Sequence, residues 1–367
     1  MFGLSPFKVF AVFLAFLVSL PVAMAQQVRE QPDLSINAAT RVQVIEALIK
    51  NVNDSYVFPE VAKKMTESIR ERLNNREYDQ VASAKAFAET LTNHLQAVSK
   101  DKHLRVRYSH EPIPERGPRR EPTAQQREER LRELGWMNHG FNKIERLPGN
   151  TGYIEFSGFF DDELGAEVLA AAMNFVADTD ALIIDLRNNG GGNPAMVALV
   201  CSYLFGEEPV HLNDLYWREG NRTDQFWTRK EVAGKRYLNK DVYVLTSKRT
   251  FSGAEEFAYN LKNLKRAKIV GETTGGGAHP GRSARLHEHF SMFVSTGRAI
   301  NPITKTNWEG TGVEPDVAVP AGQALVVSRL MALKKSVSTV TNPGFKQGIQ
   351  REIERLENEL TELRAKK

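Results

Sequence analysis

The segment Leu245–Pro280 places a serine between a predicted strand and a predicted helix. A β-branched run ends at Leu245, Ser252 follows after a short turn, and a helix-like stretch runs from Ala254 to about Leu264. A hydroxyl at such an elbow can act as a nucleophile, because the N–H groups and the dipole of the helix stabilise developing negative charge. Serine is also a preferred N-cap residue, so a purely structural role for Ser252 stays open at this point.

Two glycine-rich loops follow other predicted strands. One is Gly271–Gly277, and the other lies in residues 181–197, which read ALIIDLRNNGGGNPAMV. Glycines let backbone N–H groups approach an anion without a side chain in the way. A tight strand-to-helix turn needs the same residues, so neither loop alone distinguishes an anion site from a turn. Asp185 and Arg187 are expected to brace the second loop, and Glu255 and Glu256 to interact with the dipole of the helix after Ser252.

Together, the segments TFSGAEEFAY, GETTGGGAHP and DLRNNGGGNP resemble those of the S41 peptidase family. This family includes the C-terminal processing peptidases, the tricorn protease core and the repeats of interphotoreceptor retinoid-binding protein. The resemblance covers about residues 35–325 and is closest to the last group, in which a short helical domain precedes the core. It implies an α/β fold, namely a mixed sheet with packed helices of the ClpP/crotonase-like kind plus a small N-terminal helical bundle domain.

The resemblance also implies a serine-type endopeptidase that acts on a peptide or protein substrate by acyl-enzyme chemistry. Ser252 occupies the nucleophile position, and the N–H groups of Gly191 and Gly253 occupy the oxyanion-hole positions. A serine hydroxyl becomes an effective nucleophile only when a base within hydrogen-bond reach takes its proton. No cofactor and no metal are expected.

The identity of that base depends on which branch of the family the chain follows. Processing peptidases use a lysine from the loop after the Gly-Glu pair, and here that place reads Gly275–Ala278 without a lysine. The tricorn-type arrangement uses an upstream histidine and a downstream glutamate, which we assign to His103 as general base and Glu309 as the carboxylate that orients it. His279 is the alternative base and Glu314 the alternative carboxylate.

The first residues have the composition of a secretory signal peptide. Lys8 precedes an apolar run from Val9 to Leu20, and Ala23–Ala25 provides a small-x-small cleavage site. The run is short for a permanent membrane helix, and no cysteine follows the cleavage site to carry a lipid. We therefore expect a soluble exported protein, periplasmic or secreted. Cys201, the single cysteine, is predicted to be a buried small apolar residue.

The remaining sequence sets out the domains. The net charge of +4 comes from 49 basic and 45 acidic residues that are mixed along the chain, which does not indicate a nucleic-acid surface. Apolar residues recur at helical spacing three times between 37 and 99. We predict a signal peptide at 1–25, a flexible leader at 26–35, a helical domain at 36–100, a peptidase core at 101–325 with an insertion or linker at 109–150 and no PDZ domain, and a helical tail at 326–367.

Three questions stay open from the residues alone. Ile349, Ile353, Leu356, Leu360 and Leu363 form a short coiled-coil seam, which indicates either packing against the body or a homo-oligomer contact. A non-catalytic protein that binds hydrophobic ligands or peptides is the alternative to a peptidase. A crotonase-like acyl-CoA enzyme shares glycine-rich oxyanion turns, but export argues against it because acyl-CoA substrates are cytosolic.

Overall fold

Helices and strands alternate in the middle of the chain, as the predicted α/β fold requires, and helices predominate at both ends of the described residues. The structure is a computed structural model that describes residues 31–115 and 123–366, so the predicted signal peptide at 1–25 lies outside it. The helices are α1 Ala38–Ser55, α2 Pro59–Asn74, α3 Ala84–Ser99, α4 Ala124–Trp136, α5 Ala166–Val176, α6 Pro194–Ser202, α7 Gly253–Asn263, α8 Ala321–Thr339 and α9 Pro343–Ala365. The strands are β1 Arg105–Tyr108, β2 Phe141–Leu147, β3 Thr151–Phe156, β4 Ala181–Asp185, β5 His211–Trp217, β6 Arg222–Trp227, β7 Asp241–Thr246, β8 Lys268–Gly271, β9 Gly281–His287, β10 Phe290–Ser295, β11 Gly297–Ile300 and β12 Val317–Ala318.

A six-stranded mixed sheet, in the order β12-β8-β7-β4-β3-β2, forms the centre of the fold. Its strands pair in parallel except for β2, which is antiparallel to β3. Successive residues of β4 point to opposite faces, so that Leu182 and Ile184 pack with α5, α6 and α7, while Ile183 packs with α8. Every residue of β4 is buried, which explains its continuous apolar sequence. The predicted mixed α/β sheet with packed helices is confirmed.

The N-terminal helices share a second core with a three-stranded sheet. Helices α1, α2 and α3 lie within residues 37–99, where apolar spacing predicted three helices, and the Asn37 and Ser83 side chains accept hydrogen bonds at the first turns of α1 and α3. Their apolar faces pack against β1, β9 and β10, which form one antiparallel sheet. Strands β9 and β10 form an antiparallel hairpin within this sheet. The helical bundle is therefore tied directly to the segment that carries residues 101–108.

Several elements were not predicted from the sequence. Helix α4 lies in the predicted linker, where a capping box between Thr123 and Gln126 begins it although only Leu134 is buried. Strands β5, β6 and β11 form a separate antiparallel sheet. Helix α8 runs across the predicted boundary at 325/326. Within the described residues, none of the helices combines the length and hydrophobicity that a membrane span requires.

The C-terminal helix α9 packs along α8. Leu356 and Leu360 are buried against Leu330 and Leu333, and Arg329 pairs with Glu352 at 2.5 Å beside them. The apolar seam at 349–363 is thus occupied by the same chain. A homo-oligomer contact through this helix stays a prediction, and the packing of the seam against α8 does not support it.

We expect Leu356→Ala to destabilise the protein by about 2–5 kcal/mol, because it leaves a cavity between α8 and α9. Chemical denaturation would measure the free energy of unfolding. Glu354→Ala, at an exposed position of the same helix, is the matched control and should change it by less than about 0.5 kcal/mol. An equal effect of both substitutions would show that α9 does not pack as described.

Candidate active site

Ser252 lies at the sharp turn between β7 and α7. Its backbone has φ 54° and ψ −122°, a conformation that non-glycine residues rarely adopt. The turn is held by the neighbouring strand end, since the Thr250 hydroxyl donates to the Leu186 carbonyl at 2.8 Å and the Phe251 N–H donates to the Asn189 carbonyl at 3.2 Å. The half-buried Ser252 therefore sits on a strained elbow that two hydrogen bonds brace.

The glycine loop after β4 approaches this elbow at backbone contact distance. A Cβ atom on Gly191 would lie 2.5 Å from the Gly253 nitrogen and 2.8 Å from the Ser252 Cβ, and the φ of Gly191 is +97°. Both the space and the dihedral angle therefore require glycine at this position. The glycines at 190–192 therefore allow the loop after β4 to contact the Ser252 elbow, in addition to forming a turn.

The N–H groups that are free at this contact differ from the pair, Gly191 and Gly253, that the sequence predicted. Gly191 N–H donates to the Asn189 side-chain oxygen at 2.8 Å, so it is already engaged. Among the described residues, nothing accepts a hydrogen bond from the N–H groups of Gly192 and Gly253. A Cβ atom on Gly253 would lie 3.0 Å from the Gly192 nitrogen, so the two groups are adjacent. The structure thus leaves Gly192, and not Gly191, with a free donor beside Gly253.

Glu255 holds two segments of the site together by hydrogen bonds. The sequence had predicted only an interaction with the helix dipole. Its carboxylate accepts hydrogen bonds from the N–H groups of Ser252 at 2.8 Å, Gly276 at 2.6 Å and Gly277 at 2.9 Å, and from the Thr274 hydroxyl at 2.5 Å. Burial raises the pKa of Glu255, while these donors act in the opposite direction. One buried carboxylate therefore joins the Ser252 elbow to the glycine loop at 274–277.

A buried cluster of Asp101, His279 and Glu309 lies beyond that loop. The Nδ1 atom of His279 is 3.3 Å from Asp101 Oδ2 and 3.5 Å from Glu309 Oε2, and the same Glu309 oxygen accepts the Ala278 N–H at 2.5 Å. Burial raises the pKa of Glu309 to about 7 against the opposing influence of His279. Burial also acts to raise the pKa of Asp101, but the hydrogen bond and the charge of His279 lower it overall. Asp101 is a site residue to which sequence reasoning assigned no role.

His103 joins this cluster through its backbone. Its N–H donates to Asp101 Oδ1 at 2.9 Å, and its ring packs on Phe251 with a centroid distance of 4.6 Å. The Nδ1 atom of His103 is buried and, among the described residues, has no hydrogen-bond partner. Burial is the main cause that lowers the pKa of His103 to about 4, against the raising effect of the Asp101 charge. His103 is therefore neutral at neutral pH and contacts the residue that precedes Ser252.

The structure brings these predicted residues into one region, with one difference in pairing. Within the described part of the chain, Glu309 contacts His279, and no hydrogen bond or ion pair joins it to His103. No hydrogen bond links Ser252 to either histidine in the same described residues. Glu314 is exposed, and its carbonyl accepts from Lys262 at 2.5 Å.

Two further features concern ligands. The Asp101, His279 and Glu309 side chains each offer a ligand atom within 4.8 Å of the others, a grouping that could hold a metal ion. A cavity of about 320 Å³ opens beside Ser252, Gly192 and Gly253. Cys201 is buried as predicted, and burial raises the pKa of its thiol.

Glu255→Gln should destabilise the protein by about 1–3 kcal/mol for each N–H donor that it leaves unpaired, because an amide has one acceptor oxygen in place of two. Chemical denaturation measures this effect, and hydrogen exchange should become faster at Gly276 and Gly277. Glu207→Gln, at an exposed acid, is the control. Unchanged exchange at the two glycines would contradict the role assigned to Glu255.

Comparison with known proteins relates this geometry to a family. A carboxyl-terminal-processing peptidase 2, chloroplastic, from Arabidopsis thaliana is 26% identical over 202 residues, which are 52% of this chain and 37% of that protein. The chain thus spans little more than a third of this relative.

Two solved structures are similar in fold. A candidate peptidase from Parabacteroides merdae has a TM-score of 0.54 at 18% identity, covering 76% of this chain and 90% of that one. A lipoprotein from Streptococcus agalactiae has a TM-score of 0.51 at 14% identity, covering 80% and 96%. At these identities the two similarities concern the fold alone.

Two family models match the chain in separate segments. Residues 150–319 match peptidase family S41, and residues 35–134 match the N-terminal domain of S41 peptidases in eukaryotic IRBP. The first segment contains the Ser252 elbow, both glycine loops and Glu309, and the second contains Asp101 and His103. The matches cover most of the chain, and the protein belongs to the S41 peptidase family.

Proposed function

We propose that the protein is a serine endopeptidase that cleaves peptide bonds through an acyl-enzyme on Ser252. The observation that carries this proposal is the strained Ser252 elbow beside a cavity, together with the N–H groups of Gly192 and Gly253, for which the described residues provide no acceptor. A strained turn holds a hydroxyl in a reactive orientation, and paired N–H donors stabilise the oxyanion of a tetrahedral intermediate. Membership of the S41 family supports the same chemistry.

The reaction needs a group that takes and returns one proton. In our proposal, Ser252 Oγ attacks the peptide carbonyl carbon while a histidine removes its proton, and Gly192 and Gly253 donate hydrogen bonds to the oxyanion. The histidine then protonates the leaving amine, and the acyl-enzyme remains. A water molecule attacks the ester in the second half, the histidine again accepts a proton, and Ser252 regains it as the acid product leaves.

We propose His103 as this base, with Glu309 stabilising the positive charge that forms. Two observations support His103: it packs on Phe251 next to Ser252, and burial keeps it neutral and able to accept a proton. A shift of the side chains must bring it within hydrogen-bond reach of Ser252, as often occurs when a substrate binds. Glu309 would act through His279, and Asp101 through its charge.

The cellular location and the domain division are proposals that rest on the sequence. The signal-like segment at 1–25 supports an exported protein, periplasmic or secreted. The separate core of α1, α2 and α3 with its sheet supports a helical domain that forms one wall beside the site.

We expect wild-type protein to cleave casein or a peptide library and to react covalently with a fluorophosphonate at Ser252. Ser252→Ala should abolish both activities, because it removes the attacking oxygen. Ser338→Ala, at an exposed serine of α8, should change neither. Gel-based cleavage and intact-protein mass spectrometry provide the measurements.

The alternative function, that of a non-catalytic binding protein, predicts the opposite result in the cleavage and labelling experiments. The wild-type protein would then show neither cleavage nor labelling, and hydrophobic ligands or peptides would bind equally well to the wild type and to Ser252→Ala. That result would remove the peptidase proposal.

The pH dependence tests the histidine and the glutamate together. If ionised Glu309 supports the reaction, kcat/KM should rise with pH through an apparent pKa of about 7, because the carboxyl loses its proton there. Glu309→Gln should lower kcat/KM by a factor on the order of 10²–10⁴. In this variant the remaining acidic limb should move down towards the pKa of His103, about 4.

The matched pair His103→Gln and His279→Gln identifies the base. Loss of cleavage in His103→Gln with partial activity in His279→Gln agrees with our assignment. The reverse result would make His279 the base, and an acidic limb that stays near pH 7 in Glu309→Gln would remove Glu309 from the reaction.

A further inference from the structure

A small cavity adjoins the Ser252 elbow and has one acidic group in its wall. Its volume is about 320 Å³, close to the lower limit for ligand pockets and suited to one side chain. We call it the Glu256 pocket; the side chains that define it are Leu215, Trp217, Phe226, Glu256, Ala299 and Trp308. Apart from Glu256, these side chains are apolar or aromatic.

Glu256 lies in the first turn of α7, and its N–H donates to the Ser252 carbonyl at 2.9 Å. The residue is 4% exposed. Its Oε1 atom is buried and has no hydrogen-bond partner in the described part of the chain. A buried carboxyl oxygen without a partner destabilises the fold, because buried carboxyl groups normally pair with a hydrogen-bond donor or a positive charge. The expected interaction with the helix dipole does not supply this partner.

The surroundings of Glu256 do not satisfy it either. Asn213, on β5, is fully buried beside the carboxyl and acts to lower its pKa, but neither polar atom of its side chain has a hydrogen-bond partner among the described residues. The described residues that line the cavity include neither lysine nor arginine. Burial raises the pKa of Glu256 to about 8, as expected for a carboxyl without a nearby cation. Among the described residues, no cation therefore completes the Glu256 carboxyl, and a positively charged ligand could do so.

We propose that Glu256 is a specificity-determining residue that selects substrates with lysine or arginine at the residue whose carbonyl Ser252 attacks. This inference rests on the proposed peptidase function, because that residue's side chain is the one nearest the nucleophile. The long aliphatic stem of such a side chain packs along Leu215 and Phe226. Its positive end then meets the carboxylate.

A cation fits this pocket better than a neutral side chain. An apolar side chain would leave the Glu256 carboxyl unpaired, which is the arrangement that costs most. The indole rings of Trp217 and Trp308 attract a cation through their π faces, whereas they offer a neutral amide no such interaction. When the cation binds, the Glu256 proton leaves to solvent and a buried ion pair forms, with both charges matched.

Arginine and citrulline have nearly the same shape and differ in charge, so they test the proposal directly. Cleavage-site profiling of a peptide library by mass spectrometry first locates preferred sites. Matched peptides with arginine or citrulline at that residue should then differ in kcat/KM by ~10–100-fold in favour of arginine. Glu256→Gln should reduce the ratio to about one, because the arginine side chain loses the charge that it pairs with. Glu231→Gln, at an exposed acid outside the pocket lining, should retain the wild-type ratio.

A binding measurement separates failure of this inference from failure of the peptidase proposal. Benzamidine, a cation, and benzamide, its neutral counterpart, are titrated into wild type and Glu256→Gln by calorimetry. Selective binding of benzamidine that Glu256→Gln abolishes supports the pocket even if no peptide is cleaved. An unchanged arginine preference in Glu256→Gln, a wild-type preference for neutral residues, or equal binding of the two probes would overturn the inference.

Discussion

The close approach of two backbone loops is the constraint on which the site depends. Gly191 and Gly192, after β4, lie against Ser252 and Gly253, after β7, at distances that exclude any Cβ atom on Gly191. Parallel pairing of β4 with β7 brings both strand ends to the same edge of the sheet. The position of the Ser252 hydroxyl and of the Gly192 and Gly253 N–H donors follows from this contact.

Two adjacent glutamates show how burial produces different roles at the start of one helix. Glu255 has four donors around its carboxylate, so its burial joins α7 to the loop at 274–277. Glu256 lies on the cavity side, where its Oε1 atom has no partner in the described structure. The first arrangement favours rigidity, and the second leaves a binding interaction to be completed. Sequence position alone assigned both residues to the helix dipole.

Much of the fold could be predicted because its signals are local. Helical spacing located α1, α2 and α3, and the apolar run of β4 identified a central strand. Helix α4 was missed because only Leu134 is buried, although its capping box was a usable local signal. The β5–β6 hairpin was also missed, and its partner β11 is distant in the chain, where local patterns carry little information.

The sequence alone determined the family, the α/β fold class and part of the candidate site, namely Ser252, His103 and Glu309. Those features depend on residue type, spacing and motif, all of which are local properties of the chain. Tertiary structure alone decided the pairing of Glu309 with His279, the engagement of Gly191 N–H by Asn189, and the lack of a partner for Glu256 Oε1 among the described residues. Each of these outcomes depends on which atoms of distant segments lie within a few ångströms of one another and on how much water they exclude. Local sequence patterns determine neither.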